Sequence, residues 1–255
     1  MPLVLAGIFL LWMFTPFRAA AQLSLRNDTV ALPFFQIGYA FQITDAHLAE
    51  RFENVSSVHG GFQYKNRSNW TLGVSGSFLF GGRVVQQGVI ESLRTDQGRV
   101  INASGNLTQV EMSMRGFRAM VSAGKVIRWL GPNPNSGLWL QLGAGLLQHQ
   151  IHFRYGQSNV PQLDDPYEKG YDRLSNGWAV APQLTYLRFD NDNFINFKLG
   201  LDVSIARTES RRAWNFEENR KIEESRWDLM WGLKAAWVFP IFDKQSRVQR
   251  QQDRY

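Results

Sequence analysis

The segments INFKLGLDVSI (residues 195–205) and WDLMWGLKAAWVF (residues 227–239) decide the fold, because apolar side chains, most of them large, occupy every second position in both. The positions between them hold mainly Asn, Lys, Gly, Asp, Ser and Ala. A period of two is the period of a β-strand, whose successive side chains point to opposite faces. Both segments therefore predict a long strand with one apolar and one small or polar face.

The same alternation occurs in earlier parts of the chain and predicts eight strands in total. The apolar positions change parity at two places, around Gly116 and near Leu147. An extra residue in a strand moves the following side chains to the other face, so we expect a bulge or similar irregularity at both places. The six earlier segments cover residues 35–43, 58–65, 70–80, 110–127, 138–155 and 178–186.

The connections between these segments alternate in length, which predicts the topology. The short ones are rich in Asn, Asp, Pro or Ser, the residues that tight turns require. Short turns at one end and long loops at the other are typical of an outer-membrane barrel. We therefore predict an all-β fold, an eight-stranded antiparallel up-and-down transmembrane β-barrel. The short connections are residues 66–69, 128–136 and 190–193, and the long ones are 44–57, 81–109, 156–175 and 208–225.

A soluble barrel of the lipocalin kind, with its apolar face inward, would show the same alternation. Volume favours the membrane barrel, because an eight-stranded barrel is only just wide enough for its own side chains. The apolar parity includes about ten aromatic rings, whereas the other parity is mostly Gly, Ala, Ser, Thr and Gln. We expect the aromatic face outside, and five aromatics near the short turns to lie at a membrane interface. These are Trp70, Trp129, Trp139, Trp237 and Phe239.

Composition and the N-terminus indicate an exported protein. The chain has 255 residues, no Cys, 20% charged residues and a mean hydropathy of −0.29, which excludes a bundle of membrane helices and a disulfide-rich domain. The net charge of +6 lacks the dense basic, aromatic blocks of nucleic-acid binders, so no nucleic-acid partner is expected. The apolar run of residues 3–17 ends in small residues and predicts a signal peptide cleaved after Ala21. Residues 1–21 are then the signal peptide, 22–33 a periplasmic lead, 34–242 the barrel and 243–255 a polar periplasmic tail.

Charged residues on the polar parity predict ion pairs inside the barrel, since buried charges must be paired. On this parity lie Lys65, Glu111, Arg115, Lys198, Asp202, Asp228 and Lys234. Four of them fall on the last two strands, which are neighbours. We expect Lys198, Asp202, Asp228 and Lys234 to form one lumen network that holds the barrel closed.

The long loops offer the most promising contact surface, because loops on a rigid scaffold commonly bind partners and Tyr, Trp and Arg are common anchors. The alternative is a solvated rim whose basic side chains contact the phosphates of lipopolysaccharide. The candidate contact residues are Tyr171, Arg173, Arg211, Arg212, Trp214 and Phe216.

Enzymatic chemistry has weaker support in the sequence. His149 and His152 are placed near the outer rim, where a His could act as a general base in a lipid A-modifying enzyme, but no His-x-Ser arrangement accompanies them. The acidic stretch 165–172 lacks the spacing of an EF-hand. No cofactor or metal site is predicted, and an eight-stranded barrel is too narrow for a porin.

Four segments resemble the small outer-membrane β-barrels common in Bacteroidota, which are similar in architecture to OmpA/OmpX-type barrels. They are LRTDQGRVI (93–101), LLQHQIHF (146–153), KGYDRLSNG (169–177) and WGLKAAWVFPIF (231–242). The resemblance implies an outer-membrane location and an aromatic insertion signal at Phe239 or Phe242, but no particular activity. The predicted function is a non-enzymatic structural or accessory envelope component, in contact with outer-membrane lipid, lipopolysaccharide and other envelope proteins.

Overall fold

The computed structural model describes residues 28–156, 158–191, 195–212, 214–216, 219 and 225–241. The predicted signal peptide, the tail after residue 242 and Phe242 lie outside these residues, as does the first half of the predicted lead, residues 22–27.

Eight long strands form a closed barrel in which every neighbouring pair is antiparallel, and the predicted fold class is confirmed. Around the barrel the order is β1-β10-β9-β8-β7-β6-β3-β2, so the first and last strands are neighbours. The barrel strands are β1 (Leu32–Asp45), β2 (Val55–Lys65), β3 (Trp70–Arg83), β6 (Glu111–Ile127), β7 (Gly137–Arg154), β8 (Ser175–Arg188), β9 (Phe197–Ser210) and β10 (Ser225–Pro240).

The alternation of short and long connections is also present in the structure. Turns 66–69, 128–136 and 189–196 lie at one end, where β1 begins and β10 ends. The loops at the other end are L1 (46–54), L2 (84–110), L3 (155–174) and L4 (211–224). L2 contains the small hairpin β4 (Val100–Ile101) and β5 (Leu107–Thr108) and a 3-10 turn at Glu91–Leu93, and L3 contains the 3-10 turns Pro161–Leu163 and Tyr167–Gly170.

A short helix in L1 reaches over the mouth of the barrel. Helix α1 (Ala46–Ala49) begins after Asp45, whose carboxylate accepts a hydrogen bond from the backbone N–H of Ala46 at 2.7 Å. It buries Leu48, and the following Phe52 is buried as well. In the part of the chain that the structure describes, no helix combines the length and apolarity needed to cross a membrane.

The outer wall carries the apolar parity, as predicted. On β1 the side chains of Phe35, Ile37, Tyr39 and Phe41 are about half exposed, while Gln36 and Gln42 are buried inside. This arrangement excludes the lipocalin-like alternative, which requires the aromatic face to point inward. Other exposed wall residues are Val58, Phe62, Tyr64, Leu72, Val74, Phe78, Phe117, Val121, Trp178, Leu199, Leu201, Trp227, Trp231 and Leu233.

The two predicted irregularities at Gly116 and Leu147 were wrong. Strand β6 pairs with β7 without interruption from Glu111↔Arg154 to Ile127↔Leu138. Met114 and Ile151 point into the barrel and are fully buried. The apolar side chains change parity because the interior itself changes from polar to apolar, while the strands stay regular. The register shift in this part of the sheet lies on β3, between Gly81 and Arg83.

The interior therefore consists of three layers. An apolar plug at the turn end, which we call the lower plug, contains Leu32, Phe34, Val126, Trp139, Leu187, Phe189 and Val238. A larger apolar plug under the loops, the upper plug, includes Leu48, Phe52, Val55, Leu79, Met114, Leu147, Ile151, Phe153 and Met230. Between them lies a polar layer that contains Gln36, Gln42, His59, Gln63, Arg118, Lys198, Asp202 and Lys234.

Candidate functional site

Asp202 on β9 is the centre of the polar layer. Its Oδ2 accepts hydrogen bonds from Arg118 Nη2 at 2.8 Å and from Gln42 Nε2 at 2.9 Å. Its Oδ1 lies 3.8 Å from Lys234 Nζ. The carboxylate has no exposure to solvent, and the side chains of Arg118 and Lys234 are each 2% exposed. Asp202 thus connects four strands across the lumen: β1, β6, β9 and β10.

Lys198 lies four residues before Asp202 on the same face of β9. Its ammonium group is held by neutral groups. Its Nζ donates to Gln141 Oε1 at 3.0 Å and to Gln183 Oε1 at 3.2 Å. The same Nζ lies 4.5 Å from the ring centroid of Trp139, a cation–π contact. Lys198 therefore joins the polar layer to the lower plug.

Asp228 belongs to a different cluster, which corrects the prediction of a single network of four residues. Its Oδ2 lies 2.9 Å from His149 Nε2 and accepts a hydrogen bond from Thr208 Oγ1 at 2.5 Å. Asp228 lies four positions before Gly232 on β10, and Gly232 is the residue paired with Asp202. At about 3.3 Å per residue this places the two carboxylates at different heights in the barrel. Asp228 lies beside the upper plug, where the His149 ring packs edge-on against Phe52.

Two of the charged residues assigned to the lumen lie outside it, and one lumen charge was missed. Glu111 and Arg115 are exposed on the outer side of β6, because the bulge that would have turned them inward does not exist. Arg118 is inside and 2% exposed. Unbroken alternation backwards from Val126 would have placed Arg118 in the lumen, so the sequence contained the signal.

Trp139 also requires a correction, because it is fully buried in the lower plug. Its Nε1 donates to Thr71 Oγ1 at 2.9 Å, and its ring meets Phe34 edge-on at 5.8 Å between centroids. It lies on the parity opposite to its exposed neighbour Leu140. The other four predicted interface aromatics, Trp70, Trp129, Trp237 and Phe239, are all at least half exposed.

The two histidines considered for catalysis occupy different environments. His149 is 1% exposed and lies inside the barrel, covered by the upper plug. Ser175 faces it across the β7–β8 pair, but the Ser175 hydroxyl donates to the carbonyl of Arg173 at 3.1 Å and accepts from Arg51. His152 is partly buried on the outward parity of β7. The His149–Asp228 pair is thus almost fully buried and bonds to Thr208, and it lies inside the barrel, away from the outer wall.

Loops L3 and L4 pack together into one surface, which we call the platform. Arg212 Nε donates to Asp172 Oδ1 at 2.7 Å, and its Nη2 forms a second bond to Asp172 Oδ2. The backbone N–H of Phe216 donates to the carbonyl of Gly170 at 3.1 Å. A Cβ on Gly170 would lie 2.0 Å from the Phe216 ring, so glycine allows this close approach.

The six predicted contact residues divide into a buried and an exposed group. Tyr171 and Arg173 are 8% and 7% exposed, so both lie within the platform and are corrected from contact residues to supporting ones. Arg212 is partly buried by its bond to Asp172. Arg211, Trp214 and Phe216 are exposed, and Trp214 and Phe216 are each 46% exposed.

An aromatic cleft on the platform was not predicted in full. It has a volume of about 220 Å³ and is lined by Pro161, Gln162, Tyr167, Tyr171 and Phe216. Tyr171 and Phe216 meet edge-on with centroids 5.4 Å apart, and Tyr167 is exposed. Tyr167 follows Asp165 by two residues in the acidic stretch 165–172 and was not among the predicted contact residues.

Three titratable groups of L3 and L4 have altered pKa values. A hydrogen bond to Asp164, together with burial, raises the pKa of Tyr155 to about 12. Burial and the nearby charge of Asp172 raise the pKa of Glu168, while the Asp172 hydrogen bond raises the pKa of Arg212. Asp165 pairs with Lys169 at 2.6 Å. Asp164, Asp165 and Asp172 thus bond to Tyr155, Lys169 and Arg212. The described residues contain no group of three His, Cys, Asp or Glu side chains that could hold a metal ion.

A second surface feature is a groove of about 840 Å³ on the outer wall, at the loop ends of β3 and β6. Phe78 and Phe80 stack with centroids 6.2 Å apart along one side of it. Its basic lining residues are Arg83, Arg94, Arg115 and Arg154, and Glu111 is the acidic one. Arginine side chains and the rings of Phe78 and Phe80 thus line the same groove.

The closed strand order, the apolar outer wall and the plugged lumen define the class: a small eight-stranded β-barrel with its apolar surface outside. No protein-family model matches the chain, and no curated protein matches it.

Among solved structures the chain is similar to several small barrels. The attachment invasion locus protein Ail of Yersinia pestis, solved with the heparin analogue sucrose octasulfate, is 14% identical, with 82% of this chain and 99% of that chain covered and a TM-score of 0.41. OprG, an outer membrane protein of Pseudomonas aeruginosa, is 9% identical, with 84% and 98% covered and a TM-score of 0.37. Neisserial surface protein A is 13% identical, with 81% and 96% covered and a TM-score of 0.35.

Proposed function

We propose that the chain is an exported, non-enzymatic barrel of a bacterial outer membrane, a structural or accessory envelope component that binds another envelope protein through its loops. The membrane location is supported by the height of the apolar wall. Trp227 and Trp237 are both exposed on the outer face of β10, ten residues apart. At about 3.3 Å per residue and a tilt of about 40°, they span about 25 Å, the height of the apolar band of outer-membrane barrels.

Exposed aromatics at both ends of this band support the same location. Trp70, Trp129 and Trp237 lie near the turns, and Trp178 and Trp227 lie near the loops. Amphipathic rings are favoured at both membrane–water interfaces, so such a pair of girdles fits a bilayer better than a soluble protein surface. Turns and both barrel termini would face the periplasm, and the platform would face the cell exterior.

The groove of arginines on the outer wall supports contact with lipopolysaccharide. Arg115 and Phe117 are neighbours on the outward face of β6, and Phe117 pairs with Phe78 of β3. Guanidinium groups bind phosphate in a bidentate geometry, and the rings below would lie beside acyl chains. A phosphorylated glycolipid therefore matches the groove in both its charged and its apolar parts.

The observation that carries partner binding is the aromatic cleft of the platform. Tyr167, Trp214 and Phe216 are exposed, yet the backbone beneath them is fixed by the Arg212–Asp172 pair and the Phe216–Gly170 hydrogen bond. Exposed aromatics on a fixed backbone lose little conformational entropy on binding, which is why they dominate protein interfaces. A protein segment that inserts one apolar side chain would fill the cleft.

Site-specific photocrosslinking in intact cells tests this proposal. A photoreactive amino acid at position 167 is expected to capture one specific envelope protein at native expression. The matched control is position 85 in L2, where Val85 is also exposed and its backbone N–H donates to the carbonyl of Arg51 in L1. Equal capture of many proteins at both positions, or none at position 167, would contradict partner binding. It would favour the alternative in which the loops form a solvated rim that contacts only lipopolysaccharide.

Two further measurements test the location and the non-enzymatic character. The protein should fractionate with the outer membrane and migrate faster on a gel before heating than after it. Mass spectrometry of lipid A from a deletion strain should show an unchanged acylation pattern. A changed pattern that His149→Ala reproduces, while the variant still folds into the outer membrane in normal amount, would instead establish a lipid A-modifying enzyme.

A further inference from the structure

The polar layer contains more positive than negative charge. Arg118, Lys198 and Lys234 are each at most 2% exposed, and among the described residues Asp202 is the carboxylate that pairs with them. Lys198 is solvated by two glutamine oxygens and the Trp139 ring. Arg118 and Lys234 therefore share the single carboxylate of Asp202. An uncompensated charge in a water-poor interior is strongly unfavourable, so this excess calls for a counter-charge.

Hydrogen-bond donors in the same layer lack acceptors. Within the described part of the chain, Arg118 Nε and Nη1 and both ring nitrogens of His59 are buried without a hydrogen bond. The buried acceptors Gln42 Oε1, Gln63 Oε1 and Asp202 Oδ1 also lack donors, which ordered water can supply. Lys234 Nζ is 3.8 Å from Asp202 Oδ1, beyond the distance of a direct hydrogen bond. Native structures leave very few buried polar atoms unsatisfied, and those that remain commonly mark an ordered water or an ion.

The strand register places these donors around one region. His59 on β2 is paired with Ser77 on β3, which is paired with Arg118 on β6. On the other side, Lys234 on β10 is paired with Ala40 on β1, which is paired with Ser57, the next lumen residue along from His59. Arg118 and Lys234 thus lie two strands from His59 on either side, on opposite walls of the eight-stranded barrel, and both side chains reach across the lumen to Asp202.

We propose that this region holds one small inorganic anion of the halide class, such as chloride, together with ordered water. Arg118 Nε and Nη1 and Lys234 Nζ donate to the anion, and the His59 ring contacts it or its water. A single negative charge balances the one positive charge left over when Arg118 and Lys234 share Asp202, while Lys198 keeps its two glutamine oxygens and the Trp139 ring. The two apolar plugs close both ends of the layer, so the anion is enclosed when the barrel forms and exchanges slowly.

Refolding in bromide tests the site directly. Because the plugs oppose soaking, the protein is refolded into detergent micelles in sodium bromide and crystallised from the same salt. An anomalous difference peak beside Arg118 and Lys234 is expected. Bromide peaks confined to the protein surface, or none at all, would overturn the proposal.

Unfolding in different salts gives a second readout. At equal ionic strength, the urea midpoint should be higher in chloride or bromide than in gluconate, since a ligand bound to the folded state alone stabilises it. Lys234→Met should remove most of this difference. The matched control is Lys125→Met, because Lys125 lies on the outer wall over the Trp70 ring. If Lys234→Met does not fold, the comparison of salts on the unsubstituted protein still decides, and equal midpoints in the three salts would contradict the proposal.

Discussion

The polar layer and the upper plug occupy the same lumen and are built on the same strands, but they use opposite chemistry. On β6 the lumen face carries Arg118 in the polar layer and Met114 in the upper plug, four residues apart. On β7 the same face carries Gln141 in the polar layer and Ile151 in the plug. The comparison shows that alternation identifies which face of a strand is inside, while the contents of the inside vary with height in the barrel.

The two layers should differ in how they respond to the loss of one side chain, and the largest effect is expected at Asp202. Asp202→Ala leaves Arg118 and Lys234 buried without their carboxylate, which should lower the free energy of unfolding by about 3 to 5 kcal/mol. Urea unfolding of the barrel in micelles, followed by Trp fluorescence, measures this loss. The control is Glu53→Ala, which removes an exposed ion pair with Arg83 and should leave the midpoint unchanged. An unchanged midpoint for Asp202→Ala would show that the ionic layer does not hold the barrel closed.

Removal of an apolar group from the upper plug should have a somewhat smaller effect. Leu147 is fully buried there, so Leu147→Ala leaves a cavity and should cost about 3 kcal/mol. Leu142 on the same strand is exposed on the outer wall, and Leu142→Ala should change the same midpoint far less because detergent or lipid fills the space. Equal losses for the two variants would mean that the plug is not packed as described.

The smallest effect is expected on the platform, outside the barrel. Arg212→Gln removes two bonds to the buried Asp172 and should destabilise L3 locally by about 1 to 2 kcal/mol, since Arg212 is partly solvated. Hydrogen exchange of amides 161–174 should become faster, with the global urea midpoint unchanged. Arg211→Gln serves as the control, because Arg211 is exposed and bonds to Asn176 on β8. The idea of a fixed platform fails if the two variants give the same exchange rates.

The sequence allowed the strand count, the topology and the outward face to be predicted, because all three depend on local periodicity and on connection length. The lumen pairs were predicted less well. Lys234 lies beside Asp202, as expected, but the main partner of Asp202 is Arg118, which is 84 residues away. Such a pairing depends on the barrel's stagger, which alternation within one strand does not contain.

Trp139 and Tyr171 illustrate a second limit of the sequence. Both are aromatic residues near the ends of the barrel, and aromatics at such places are often exposed. Trp139 is buried because it lies on the inward parity and finds a hydrogen-bond acceptor in Thr71. Tyr171 is buried because L4 folds back onto L3 and brings Phe216 against it. The first position was readable from parity, whereas the second depended on a contact between loops.

The pairing of β1 with β10 has a consequence for biogenesis. Twelve residue pairs join these strands, from Phe34↔Pro240 to Asp45↔Leu229. They are far apart in the chain, so this seam is the most costly in loop entropy and can form only after the last strand has been delivered. A chain truncated before residue 225 would expose the edges of both β1 and β9 to other molecules, and exposed edges promote aggregation. Closure of the barrel thus depends on the arrival of its final sixteen-residue strand.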